Sequence, residues 1–189
     1  LAKECGIGTT TARQWLSLLE MTRVVFLLRP FHHNLTKRVV KHPKLYFTDT
    51  GLLAYLLRYP NGESIRTGPL AGAFFENMVV AEFLKRRLNH GKNIEFYFYR
   101  DTNGNEVDLV LDAGSNFHLC EIKASQTPQV RHGETLQKVS RLFPNAQCTV
   151  LSQSATTGPL LPGVQALPWW RLGECLDFTP AKTKKRGAK

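Results

Sequence analysis

The amino-acid sequence predicts an α/β protein: a small helix-led module followed by a larger domain whose elements run αβββαβ around a mixed central sheet. Three observations carry this. Apolar residues recur at helical spacing over 71–88, with Phe74, Met78, Ala81 and Leu88 beside Phe75 and Val79. Three β-rich runs follow at 94–99, 106–111 and 117–123, and the segments between them, Asp101-Thr102-Asn103-Gly104-Asn105 and Asp112-Ala113-Gly114-Ser115-Asn116, consist of turn-forming residues. A second helical pattern at Leu136, Val139, Leu142 and Phe143 stops at Pro144 and precedes a β-rich run at 148–151, the arrangement that joins parallel strands.

From the N-terminus, Ala2, Gly6 and Ala12 sit at the offsets of a helix, a tight turn and a second helix. Residues 9–20 form that second helix, with a threonine as cap and Ala12, Trp15, Leu16 and Leu19 as its apolar stripe. The β-rich runs 24–28 and 38–40 can make a wing, and 44–47 follows, so 1–47 reads as a winged-helix module. On that reading Thr10, Thr11, Arg13 and Gln14 face a DNA groove. The near-neutral charge of the helix equally suits packing against a neighbouring domain. Asp49 or Thr50 caps a short helix through Leu57, and the Asn61-Gly62 turn and Gly68-Pro69 close it, which makes 48–68 a connecting helix and linker before a domain at 69–178. Near the end, 164–170 reads as an edge strand and 172–176 as a short helix. Residues 179–189 carry Lys182, Lys184, Lys185, Arg186 and Lys189 without apolar periodicity, and are expected to be a disordered basic tail.

The chain has 189 residues, a formal net charge of +10 and a pI near 9.7, a balance that favours polyanionic partners, with DNA first among them. No apolar run reaches membrane-spanning length, and no secretion signal opens the sequence. Cys5, Cys120, Cys148 and Cys175 are scattered without paired spacing, which fits a reducing cytoplasm rather than a disulfide framework or zinc ribbon. A Gly-rich phosphate loop is absent, so ATP hydrolysis is not expected of these residues. The start at Leu1, inside a helix-like pattern, is the start expected of a fragment.

The residues that carry chemistry lie on the presumed hairpin 106–123. Glu121 and Lys123 are two apart on one strand and share a face, while Asp108 lies on the strand beside it. The neighbours of Asp108, Val107, Leu109, Val110 and Leu111, are apolar on both faces, and an acid buried there is costly unless it has a partner. Solvated cross-strand ion pairs among Glu106, Asp108, Glu121 and Lys123 are the bland alternative.

This order, with Glu76 in the first helix, Asp108 on the second strand and Glu121-Ile122-Lys123 on the third, resembles the PD-(D/E)xK nuclease superfamily over about 69–170. The resemblance implies a restriction-endonuclease-like domain that holds Mg²⁺ or Mn²⁺ on Asp108, Glu121 and the Ile122 carbonyl. It also implies that Lys123 orients water or meets phosphoryl charge, with Glu76 assisting. Val107 stands where the motif has its proline. Five blocks, at 11–20, 44–54, 72–82, 99–108 and 121–125, are similar to the C-terminal region of prokaryotic AAA+-type ATPases carrying domain of unknown function 4143. That likeness implies an ATPase domain ahead of Leu1, and a C-terminal part that is either a metal-dependent DNA phosphodiesterase or an inactive DNA- or protein-binding regulatory module. Ser125 and Gln126, just past Lys123, are candidate phosphate contacts. Gln153, Trp169 and Trp170 are weaker candidates for nucleic-acid contact, and His32, His33 and His42 lack metal-site spacing.

Overall fold

The computed structural model describes residues 1–31 and 42–178. Five helices, α1 (Thr9–Met21), α2 (Thr50–Leu56), α3 (Gly62–Thr67), α4 (Ala71–Asn89) and α5 (Arg131–Ser140), accompany eight strands and a final 3-10 helix (Trp169–Leu176). The strands are β1 (Val25–Pro30), β2 (Lys44–Phe47), β3 (Glu95–Arg100), β4 (Glu106–Asp112), β5 (Phe117–Lys123), β6 (Gln147–Ser152), β7 (Gly158–Leu161) and β8 (Val164–Pro168). They form one mixed sheet in the order β2-β1-β3-β4-β5-β6-β8-β7. The α/β expectation holds. β3, β4 and β5 are an antiparallel meander, and α5 carries the chain across to β6, parallel to β5.

The sheet is covered on both faces, which accounts for the near-continuous apolar runs in its central strands. Leu109, Leu111, Cys120 and Ile122 pack with Val79, Val80 and Phe83 of α4 and Leu172 of the 3-10 helix. The alternate residues Val110 and Leu119 pack with Leu136 and Val139 of α5, together with Phe143 and Val150. α5 reaches the sheet closely because Gly133 has no side chain: a Cβ there would lie 2.5 Å from Leu161 Cδ2.

Several expectations need correction. Residues 2–6 form turns, so no helix precedes α1, and Gly8 is the N-cap of α1 with no side-chain capping bond. The first wing run is β1, but it pairs antiparallel with β2 and parallel with β3, extending the central sheet. The second wing run, 38–40, lies outside the described residues, as do His32, His33 and the tail 179–189. Asn61-Gly62 is a helix start, because Asn61 Oδ1 accepts from the Ser64 backbone N–H at 2.9 Å and caps α3. Removing that cap with Asn61→Ala is expected to lower the unfolding free energy by about 1 kcal/mol, read from the urea midpoint. The predicted edge strand near 164–170 is β8, an internal strand, and Trp169 and Trp170 belong to the 3-10 helix. The edge at that end of the sheet is β7, whose Pro159 suits an edge because it cannot donate to a ladder. Among the described residues no helix is long and apolar enough to cross a membrane.

Candidate functional site

β4 and β5 pair as far as Leu109–Cys120, and the next residue on each strand, Asp108 and Glu121, lies just beyond the paired stretch. There the strands part company: β4 continues on β3 through Val107–Tyr99, and β5 continues on β6 through Glu121–Val150 and Lys123–Ser152. The sheet therefore forks at the two acids. Asp108 Oδ2 bridges the fork by accepting from the Ile122 N–H at 2.9 Å.

Two other elements close over the fork. Glu76 projects from α4, and Lys44 and Tyr46, alternate residues of β2, share one face of that strand. Glu76 Oε1 accepts from Tyr46 Oη at 2.5 Å and meets Lys44 Nζ at 3.3 Å. The same ammonium lies 2.6 Å from Glu106 Oε1 and 3.8 Å from Asp108 Oδ1. Lys123 Nζ contacts Glu121 Oε1 at 2.6 Å, and at the rim Arg100 Nε is 3.5 Å from Glu106 Oε2. α4 is fixed to β2 by Asn77, whose Oδ1 accepts from the Phe47 N–H and whose Nδ2 donates to the Phe47 carbonyl, both at 2.8 Å.

The electrostatics follow from burial. The side chains of Asp108 and Glu121 are only 12% and 11% exposed. Burial, then the charges of Glu121 and Glu76, push the Asp108 carboxyl up to about 7, against the pull of the Ile122 N–H and Lys44. Burial also raises Glu121, although Lys123 opposes it. For Lys44 and Lys123 burial acts downward, but the surrounding carboxylates outweigh it and both ammoniums are held above their ordinary range. Burial and Glu76 raise the Tyr46 phenol, so it stays a donor. One atom is left over. Glu121 Oε2 is buried and has no hydrogen-bond partner.

The structure thus brings Glu76, Asp108, Glu121 and Lys123 into one cluster, with Ile122 held to Asp108 by its N–H. Thr10, Arg13 and Gln14 are exposed on α1, which packs on β1. Ser125 sits in the turn after β5, with its hydroxyl bonded within that turn to Thr127. Gln153 donates its backbone N–H to the Ser125 carbonyl. Trp169 and Trp170 meet edge to face, and Trp169 packs against the α4 side of the core. Sequence reasoning missed Lys44, Tyr46 and Asn77. The available signal was the Lys-x-Tyr alternation in 44–46, which puts both polar groups on one strand face.

Residues 71–172 match the family model described as Domain of unknown function (DUF4143), and residues 1–63 match a second, Domain of unknown function (DUF8612). An uncharacterized protein of Mycobacterium tuberculosis and one of Mycobacterium bovis are each 31% identical to the chain over 130 residues. The aligned region is 69% of this chain and 29% of either relative, so the chain spans under a third of their length. No solved structure matches the chain.

Proposed function

Since the chain belongs to the family described as domain of unknown function DUF4143, we propose that its acidic fork is the Mg²⁺ or Mn²⁺ site of a PD-(D/E)xK-type nuclease module, attached in the intact protein to an AAA+-type ATPase and acting on DNA. The observation that carries the reading is the orphan Glu121 Oε2 inside a surplus of negative charge. Four carboxylates, Glu76, Glu106, Asp108 and Glu121, face two ammoniums, Lys44 and Lys123, with Arg100 at the rim. The carboxylates outnumber the cations, an excess of negative charge that draws a cation, and the donors are hard carboxylate oxygens of the kind divalent cations prefer.

In this reading Asp108 and Glu121 hold the ion, which supplies a nucleophile at neutral pH and neutralises phosphoryl charge. The Ile122 N–H keeps the Asp108 carboxylate turned toward the fork. Lys123 stands beside Glu121 as the cation that meets a phosphoryl oxygen, and Tyr46 holds Glu76 by its phenol. Thr10, Arg13 and Gln14 on α1 are the proposed contacts to DNA outside the fork, with Ser125 beside it. In a screen of single- and double-stranded DNA and RNA with Mg²⁺ or Mn²⁺, DNA should be cleaved by the wild-type chain and not by Asp108→Ala. Cutting that Asp108→Ala leaves intact, or no cutting of any substrate, defeats the catalytic claim.

A second reading rests on Lys44. Its ammonium reaches Glu76, Glu106 and Asp108 at once, which makes it an internal counter-ion for a metal-free regulatory module that binds DNA or protein. Lys44→Gln separates the two. One unit charge about 4 Å away counts for about 4 kcal/mol at an effective dielectric near 20. If the fork takes a cation, removing this competitor should tighten Mn²⁺ binding roughly tenfold or more, and Mn²⁺ should restore the stability lost above neutral pH. A destabilised variant that Mn²⁺ does not rescue, measured by calorimetric titration and thermal melts, favours the counter-ion reading.

A further inference from the structure

On the opposite side of β5 from Glu121 and Lys123, three donors of a different chemical kind come together. His118 and Cys120 are two apart on β5 and share a face, and Cys175 reaches them from the final 3-10 helix. One ligand atom from each lies within 4.8 Å of the others, and all three residues are buried. We propose that His118, Cys120 and Cys175 form a zinc site that ties the terminal 3-10 helix to the sheet.

Four observations bear on this. The donor set is two sulfurs and one imidazole nitrogen, which selects a borderline-soft ion such as Zn²⁺ over the Mg²⁺ or Mn²⁺ suited to the acidic fork. Two thiolates and one Zn²⁺ sum to zero charge, the condition under which an ion can be buried at such a depth. The imidazole is held through one ring nitrogen, with Nε2 2.8 Å from Thr149 Oγ1, which assigns the ion to Nδ1, as metal-bound histidines are held by a hydrogen bond at the other nitrogen. A cavity of about 980 Å³, lined by His118, Thr149, Gln165, Glu174, Cys175 and Asp177, leads to the cluster, giving an entry path and room for water as a fourth ligand. The plain alternative is packing alone, since reduced cysteines fill cores as small hydrophobes.

The test uses the full chain with Cys5, the exposed cysteine, changed to serine. After metal removal under reducing conditions it is titrated with Co²⁺, whose sulfur-to-metal charge-transfer absorption reports thiolate ligation. Cobalt on carboxylates gives no such band, so the acidic fork does not contribute. The band is expected to saturate at one equivalent and to be abolished by Zn²⁺. It should be lost in Cys175→Ser and kept in Cys148→Ser, and Thr149→Val should weaken Co²⁺ binding by about 10- to 100-fold. Should Cys175→Ser not fold, protection of two thiols of the wild-type chain from alkylation by added Zn²⁺ replaces it as the readout. The proposal is overturned by absence of the band in the wild-type chain, by a band that folded Cys175→Ser retains, or by displacement with Cu⁺ but not Zn²⁺.

Discussion

Asp108→Asn is expected to make the folded chain more stable at neutral pH while abolishing its response to Mg²⁺ and Mn²⁺. The Asp108 carboxyl is pushed from an ordinary 3.8 up to about 7, so between these values the folded chain keeps a proton that the unfolded chain has lost. Stability contributed by this group is therefore fully present below about pH 4, declines as pH rises, and is gone above about pH 7. The decline is on the order of a few kcal/mol. Glu121, also raised, acts in the same direction. Asparagine reproduces the protonated acid: its side-chain oxygen can still accept from the Ile122 N–H, and it carries no charge to repel Glu121 and Glu76. Thermal melts between pH 5 and 8 in chelator should show a falling midpoint for the wild-type chain and a much flatter profile for Asp108→Asn. Saturating Mn²⁺ should flatten the wild-type profile too, because a bound cation favours the ionised carboxylate, and should leave the variant unmoved. A wild-type profile that rises over this range, or an equal response of both chains to Mn²⁺, contradicts the assignment.

Asn77→Ala should destabilise the chain without touching the fork itself. The side-chain amide satisfies both the N–H and the carbonyl of Phe47, and it is 5% exposed. Its removal leaves two backbone groups without partners at roughly 1–3 kcal/mol each, a loss of roughly 2–6 kcal/mol in unfolding free energy. Among the described residues β2 is an edge strand that pairs with β1 alone, so the amide is a main link between it and α4. With that link gone, Lys44 and Tyr46 are less firmly held over the acids. Faster amide hydrogen exchange along 44–47 and an Asp108 titration moved further upward are the expected signatures. A variant that is destabilised with unchanged exchange in β2 would show that the amide serves only the core.

These outcomes bear on what could be read from the residues alone. α4 and the strands β3 to β5 emerged within about a residue of their observed bounds, because each is bracketed by turn chemistry and has a clear period of 3.6 or 2. Glu121 and Lys123 were legible because spacing within one strand fixes a face, and Asp108 because an acid stands out in an apolar run. β7 was not legible, since four residues that include Pro159 carry no strand pattern, and its place depends on β8. Asn61-Gly62 was misread because asparagine before glycine is as good a turn as it is a cap, and only the reach of Oδ1 to Ser64 decides. Lys44 escaped notice because a lysine that begins a short strand ordinarily points to water. Its partners are 32, 62 and 64 residues away along the chain and meet it only through tertiary packing. Cys175 is equally remote from His118 and Cys120, so no spacing motif announces the cluster they form.

The pairing of β1 and β2 with β3 also bears on inheritance. The two family matches end at 63 and begin at 71, yet the sheet runs unbroken from one into the other, and Lys44 of the first answers Glu76, Glu106 and Asp108 of the second. The two segments are therefore not free to drift apart. An acid gained or lost on β4 changes the charge that position 44 must carry, and exchanging 1–63 for the equivalent stretch of a relative without that lysine would set three carboxylates against one another. Substitutions at 44, 76, 106 and 108 should appear together across lineages.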